Sequence, residues 1–226
     1  VYGEANKEDI DFIQSYLRPG DTFLDIGSNI GILTITASQV VGNSGQVYSV
    51  EAHPITYQYL VDNLSLNKCD HVIHYHTALG KENGQLSFTS DARLDDQNRA
   101  STQQQAGDII VPLKRLDDLI KTDRINLLKI DVEGFEPEVF AGAVATLKNT
   151  DCIYFESWEK HLQQYGYSTM SVIHQLQQAG FSVCKYQHSG KQIIKLPHGY
   201  ISQECENLVA IKNIDDFIAR TQLNLS

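Results

Sequence analysis

The sequence predicts an α/β protein, with a mostly parallel sheet, helices on both faces and an antiparallel hairpin at the C-terminal end. Three observations carry that expectation. Strand and helix signals alternate along most of the chain, as in a sheet covered on both sides. The strand candidate TFLDI (22–26) is a near-continuous apolar run of the buried parallel type, and INLLKID (125–131) is read as the fourth strand. Finally, FLDIGSNIGILT (23–34) runs from a buried strand through Asp25 and a loop with Gly27 and Gly31 into an apolar helix, and the next strand closes on Glu51.

The elements follow in order. Residues 7–17 read as a leading helix with Ile10, Ile13 and Leu17 on one side, ended by Arg18-Pro19-Gly20. After TFLDI, a helix over 29–41 carries Ile30, Leu33, Ala37 and Val40–Val41 at helical spacing and stops at the turn residues Gly42-Asn43-Ser44-Gly45. QVYSV (46–50) is the second strand. Pro54, suited to a first helical position, starts a helix through about Leu66. A third strand is expected near 71–78 and an added one at QLSFT (85–89). From Ser90 to Gly107 the chain is polar and glutamine-rich, so the span 84–107 is expected to be a substrate-facing surface excursion. IIVPL (109–113), a helix near 115–121 and INLLKID restore the rhythm. Pro137 opens a helix through about Leu147, CIYFE (152–156) is the fifth strand, and a helix over 169–179 ends at Gly180. FSVCKY (181–186) and LVAI (208–211) form the expected antiparallel pair, followed by a short helix near 215–221. No linker or internal repeat is visible, so residues 1–226 are expected to form a single domain.

Composition narrows the function classes. With 226 residues, a chain of this size buries roughly 70% of its unfolded surface and needs no staples. Cys69, Cys152, Cys184 and Cys205 lie far apart without a CxxC pair, which fits thiols in a reducing compartment, and a cytoplasmic setting is expected. The sequence contains no 18-residue apolar run and no basic region ahead of an apolar one, so neither a membrane span nor a signal peptide is expected. The first residue is Val1 rather than methionine, which is compatible with a removed upstream segment. Twenty-eight acidic against 18 basic residues give a formal charge of −10. That balance argues against a nucleic-acid groove and against anionic membranes as partners.

The segment after the first strand is a nucleoside-cofactor signal. Gly27 and Gly31 allow a tight turn and close approach of a ligand to the backbone. Amides at the start of the following helix can face a carboxylate, and Asp25 lies beneath the loop, able to accept loop amides or help bind an ammonium group. Glu51 lies across the crevice, where two acceptor oxygens match two ribose hydroxyls. The loop reads D-I-G-S-N-I-G and lacks the G-x-G-x-x-G that a pyrophosphate requires. S-adenosyl-L-methionine, which has no phosphate, is therefore the expected cofactor.

The sequence resembles the FkbM family of S-adenosylmethionine-dependent methyltransferases. The matching pieces are PGDTFLDIGSNIG (19–31), GQVYSVEAHP (45–54), LVDNLSLN (60–67) and the more specific LLKIDVEGFEPEVFAGA (127–143), spanning about 19–157. The resemblance implies the class I methyltransferase (Rossmann-like) fold, a seven-stranded sheet with a reversed final hairpin. It also implies O-methylation of a hydroxyl on a small molecule, glycan or natural product, free or carrier-bound. It places Asp25, Gly27, Ser28, Asn29 and Gly31 around the methionine end and Glu51 on the ribose. Ala52 stands where the family often has proline. Adenine is expected against Ala52, His53, Ala78 and Leu79. The competing readings are a non-catalytic nucleoside-binding module and a nucleic-acid methyltransferase; a homodimer is left open.

Asp131 and Glu133 end the fourth strand and Glu156 the fifth. Parallel strands bring their C-terminal ends to one edge, where ligands bind. Asp131 and Glu156 are expected to flank the transferred methyl, with Glu133 beside the cofactor or orienting a helix, and His161 as base or orienter. His71, His74 and His76 are read as ordinary strand residues, and no metal site is expected. A divalent ion between Asp131 and Glu156 ranks behind a protein base. Arg93, Arg99, Trp158, Tyr165 and Tyr167 are the candidates for acceptor recognition.

Overall fold

The structure, a computed structural model, describes residues 6–88, 100–101 and 109–226. In chain order the strands are β1 (Thr22–Ile26), β2 (Gln46–Glu51), β3 (Val72–His76), β4 (Ala78–Leu79), β5 (Gly84–Phe88), β6 (Ala100–Ser101), β7 (Ile109–Lys114), β8 (Ile125–Ile130), β9 (Thr150–Ser157), β10 (Ser182–Gln187), β11 (Gln192–Lys195), β12 (Glu206–Ile211) and β13 (Asn224–Leu225). Among the described residues the main sheet has nine strands in the order β13-β11-β10-β12-β9-β8-β1-β2-β3. β3, β2, β1, β8 and β9 run parallel; β12 is antiparallel to both β9 and β10.

The class I order is thus present, extended by β11 and β13 at the reversed edge. β10 and β12 do pair antiparallel, but they are not a simple hairpin. β10 turns first into β11 on its outer side (Gln187↔Gln192), and the chain then returns to insert β12 against β9.

Period two along the central strands sorts side chains onto two cores. Leu24, Ile26, Leu128, Ile130, Ile153 and Phe155 face helices Glu136–Ala141 and Thr169–Gln178, with Phe140 and Leu176 packed among them. Phe23, Leu127 and Tyr154 face helices Lys7–Tyr16, Ile32–Val41 and Ile214–Thr221, where Phe12 stacks on Tyr154 at 4.3 Å. Each fully buried large side chain contributes roughly 1.5–3 kcal/mol. The leading helix is therefore a structural layer of the sheet.

Three departures from the sequence expectation have a local reason. The helix expected at 29–41 begins at Ile32, because Asn29 (φ 50°) and Gly31 (φ 90°) take left-handed conformations and keep the loop open. The strand expected through 78 ends at His76. Thr77 then donates its hydroxyl to Pro112 O at 2.8 Å, and β4 passes into a second sheet ordered β4-β7-β5-β6. The helix expected at 137–147 is two, Glu136–Ala141 and Val144–Lys148. They break at Gly142, where a Cβ would meet Gly80 O at 2.0 Å. Helix Glu159–Gln164 was not expected at all. Most of the 84–107 excursion, with Arg93 and Arg99, lies outside the described residues; its first strand, β5, pairs antiparallel with β7.

Candidate active site

The C-terminal ends of β1, β2, β8 and β9 share one edge, and the loops there carry nearly every residue singled out in the sequence. After β1 the chain turns back under its neighbours. Gly27 and Ser28 donate their amides to Val50 O at 2.9 and 3.1 Å. A Cβ on Gly27 (φ 74°) would lie 1.8 Å from Asp131 O, and one on Gly31 would lie 2.6 Å from Leu60 Cδ1. Only glycine fits either position.

Ser28 and Asp25 hold this loop in place. Ser28 Oγ donates to Asp25 O at 2.8 Å and accepts from Ser49 Oγ (2.8 Å) and Val50 N (3.1 Å), so its side chain is committed to the frame. Asp25 is fully enclosed. It accepts the Thr34 hydroxyl at 2.6 Å rather than loop amides, and burial pushes its carboxyl pKa upward.

Glu51 closes β2 at the crevice. It accepts Asn29 N at 2.9 Å and His53 N at 2.8 Å, tying the loop after β1 to the start of helix Pro54–Leu66. Burial raises its pKa to about 7, against these bonds and the Lys129 charge, which pull it down. His53 Nδ1 lies 3.3 Å from Thr56 Oγ1, a contact within the helix start. Ala52 packs beside Ala78, and Leu79 is buried one residue on. His71, His74 and His76 go to separate partners: Ser38 Oγ (3.2 Å), Tyr57 OH (2.7 Å) and Ala52 O (3.1 Å).

Lys129, overlooked in the sequence, is the central cation. It sits in the fully buried β8 and is 7% exposed. Its Nζ lies 3.1 Å from Gly27 O, 3.4 Å from Asp131 Oδ2 and 3.7 Å from Asp25 Oδ1. Burial opposes the charge, but Asp131 and Asp25 outweigh it and raise the ammonium pKa. Its signal was a lone lysine inside a buried strand, which needs paired acids around it.

The acidic edge comes from β8 and β9. Asp131 donates its amide to Ile26 O at 3.0 Å and keeps a partly exposed carboxylate. Glu133 has a left-handed backbone (φ 56°). The buried Glu136 holds that turn by accepting Val132 N at 3.0 Å and Gly134 N at 3.4 Å; burial raises its own pKa to about 8. Glu133 Oε2 thereby reaches His161 Nδ1 at 3.0 Å, and Glu156 Oε1 lies 3.6 Å from the same nitrogen. His161 is 4% exposed, with its ring 4.2 Å from Trp158. Burial, then the Asp131 charge, lifts Glu156 to about 7, while a Cys205 thiol 3.1 Å from Oε2 pulls the other way. So Asp131, Glu133, Glu156 and His161 form one group beside the Gly27–Gly31 loop.

Recognition candidates surround this group. Trp158 donates to Gln203 O at 3.3 Å and has Lys160 Nζ 5.1 Å from its ring centroid. Tyr165 meets Phe135 edge-on at 5.2 Å, and Tyr167 donates to Glu138. Asp9 of the leading helix also lies near, accepting Tyr154 OH at 2.6 Å and Asn207 Nδ2 at 3.0 Å. Among the described residues no helix is long and apolar enough to cross a membrane.

Comparison with known proteins identifies the family and the fold. Residues 25–183 match the model of the methyltransferase FkbM domain. The chain is 29% identical over 148 residues to Methyltransferase 1 of Beauveria bassiana, covering 55% of this chain and 59% of that protein. It is 28% identical over 140 residues to the hexuronic acid methyltransferase AglP of Haloferax volcanii, covering 60% and 55%. The chain thus spans little more than half the length of these relatives. Among solved structures, the Streptococcus mutans protein SMU.1697c, a putative methyltransferase in complex with SAH, superposes with a TM-score of 0.55 at 12% identity, covering 92% of this chain and 97% of that one. That likeness is one of fold.

Proposed function

Since this chain belongs to the FkbM methyltransferase family, we propose that it transfers the methyl group of S-adenosylmethionine to a hydroxyl oxygen of a sugar-containing acceptor. One observation carries the cofactor part. Glu51, at the tip of β2, binds the amides of Asn29 and His53 and keeps acceptor capacity beside a loop that has no pyrophosphate-binding glycine pattern. Glu51 is assigned to the ribose hydroxyls, the Gly27–Gly31 backbone to the methionine end, and Ala52, His53, Ala78 and Leu79 to the adenine.

S-adenosylmethionine supplies an activated methyl group on a sulfonium, which becomes a neutral thioether when the C–S bond breaks and the new O–C bond forms. The protein's part is alignment, exclusion of water and proton removal. Asp131 and Glu156 are the proposed acceptors of the hydroxyl proton. Glu156, raised to about 7, is matched to that task near neutral pH. Lys129 holds Asp131 in place beside Gly27. His161, between Glu133 and Glu156, orients both.

The hydroxyl and sugar assignments draw support from this carboxylate group and from the hexuronic acid methyltransferase among the relatives. The cofactor assignment is tested calorimetrically with S-adenosylhomocysteine and, separately, NAD. Saturable binding of the first alone is expected; binding of NAD alone overturns the reading.

A further inference from the structure

We propose that Glu133, Glu156 and His161 form a site for a divalent transition-metal ion at the acceptor edge of the sheet. The binding site stands on geometry alone; its chemical role rests on the methyl-transfer reading above.

The three donors come from separate elements: the loop after β8, the end of β9, and helix Glu159–Gln164. One donor atom from each lies within 4.8 Å of the other two. His161 Nδ1 is 3.0 Å from Glu133 Oε2 and 3.6 Å from Glu156 Oε1. Donors held about 2.0–2.2 Å from one ion stand roughly 3 Å apart in cis positions and roughly 4 Å apart in trans. The set therefore needs only small side-chain shifts to close on an ion. A protonated Nδ1 gives its single N–H to one carboxylate at a time, whereas an ion engages all three groups together and matches the two carboxylate charges.

The surroundings hold these donors in place. Glu136 fixes the left-handed turn that aims Glu133. Gly134 permits the close approach to helix Glu159–Gln164, since a Cβ there would fall 2.6 Å from His161 O. Supporting contacts of this kind orient metal ligands and tune affinity. Neighbouring ammonium groups are otherwise engaged: Lys129 with Asp25 and Asp131, Lys160 over Trp158. One imidazole with two carboxylates favours manganese, iron or zinc over magnesium or calcium.

Three protein ligands leave coordination positions for an outside oxygen, the pattern of catalytic ions. An acceptor hydroxyl bound there would have a lowered pKa. With the ion bound, Glu156 would serve as a ligand rather than as a base, and the hydroxyl proton would pass to Asp131, which lies outside the ligand set, as the O–C bond forms and the C–S bond breaks.

The test uses the whole chain stripped of metals and titrated with manganese(II), followed by electron paramagnetic resonance. Saturable binding of one ion is expected, with spin-echo modulation from one imidazole nitrogen. His161→Gln and Glu156→Gln, each checked for folding by circular dichroism, should weaken binding at least about tenfold. Absence of saturable binding, absence of nitrogen coupling in the wild-type protein, or affinity unchanged in both folded variants overturns the site. S-adenosylhomocysteine binding in the same samples separates the two readings. If it binds and manganese does not, only the cation site falls. If manganese binds and it does not, the methyltransferase reading falls instead.

Discussion

Gly27 and Asp131 touch through their backbones: a Cβ on the glycine would lie 1.8 Å from the aspartate carbonyl oxygen. The turn assigned to the cofactor and the loop carrying the acidic group are therefore one packed unit. A change in either displaces the other.

Gly27→Ala should show this most plainly. The added carbon meets backbone rather than a movable side chain, and the φ of 74° is itself unfavourable for alanine. A destabilisation of about 4 kcal/mol or more is expected in urea unfolding, with loss of S-adenosylhomocysteine binding in whatever remains folded. Wild-type stability and affinity in this variant would mean that the two loops are not packed as described.

Glu51 makes a pH prediction. Burial raises its pKa to about 7, and the proposed contact with the ribose hydroxyls draws on its ionised form. Below that value the protonated form predominates, so cofactor affinity should rise with pH and level off above 7. At one unit below the pKa, about one molecule in ten is competent and the apparent Kd is about tenfold weaker. Calorimetry between pH 5.5 and 8.5 checks the slope. Glu51→Gln should bind more weakly throughout with a flatter profile; a flat wild-type profile would remove Glu51 from the site.

Lys129→Met keeps length and apolar stem but leaves Asp25 and Asp131 without their shared cation. Removing one member of a buried charged set costs about 3–5 kcal/mol. Asp131 is 38% exposed at its side chain and is partly relieved by water, so the lower end is expected. Equilibrium unfolding measures it. A neutral result would reduce Lys129 to a passive filler of the strand.

Much of this arrangement was legible in the residues themselves. β1 and the helix from Pro54 fall on their expected limits because apolar continuity and a proline mark them without reference to the rest of the chain. Parallel order then brought Asp25, Glu51, Asp131 and Glu156 to one edge. What escaped depends on partners distant in sequence. The break at Thr77 needs Pro112, thirty-five residues away, to take its hydroxyl. Glu133 is aimed by a turn that Glu136 holds from beneath, and no spacing rule announces that conformation. Lys129 was visible as a charge in a buried strand, but its partners appear only when β1 lies beside β8.

The central claim is transfer of a methyl group to a hydroxyl oxygen of a sugar. The most direct measurement incubates the protein with methyl-labelled S-adenosylmethionine and glycans bearing uronic acids, then treats the product with mild alkali. An ether at a hydroxyl survives that treatment, so retained label on a sugar ring is the expected result. Label released as methanol would mean esterification of a carboxylate, and label found only on nitrogen or in added RNA would contradict the claim outright.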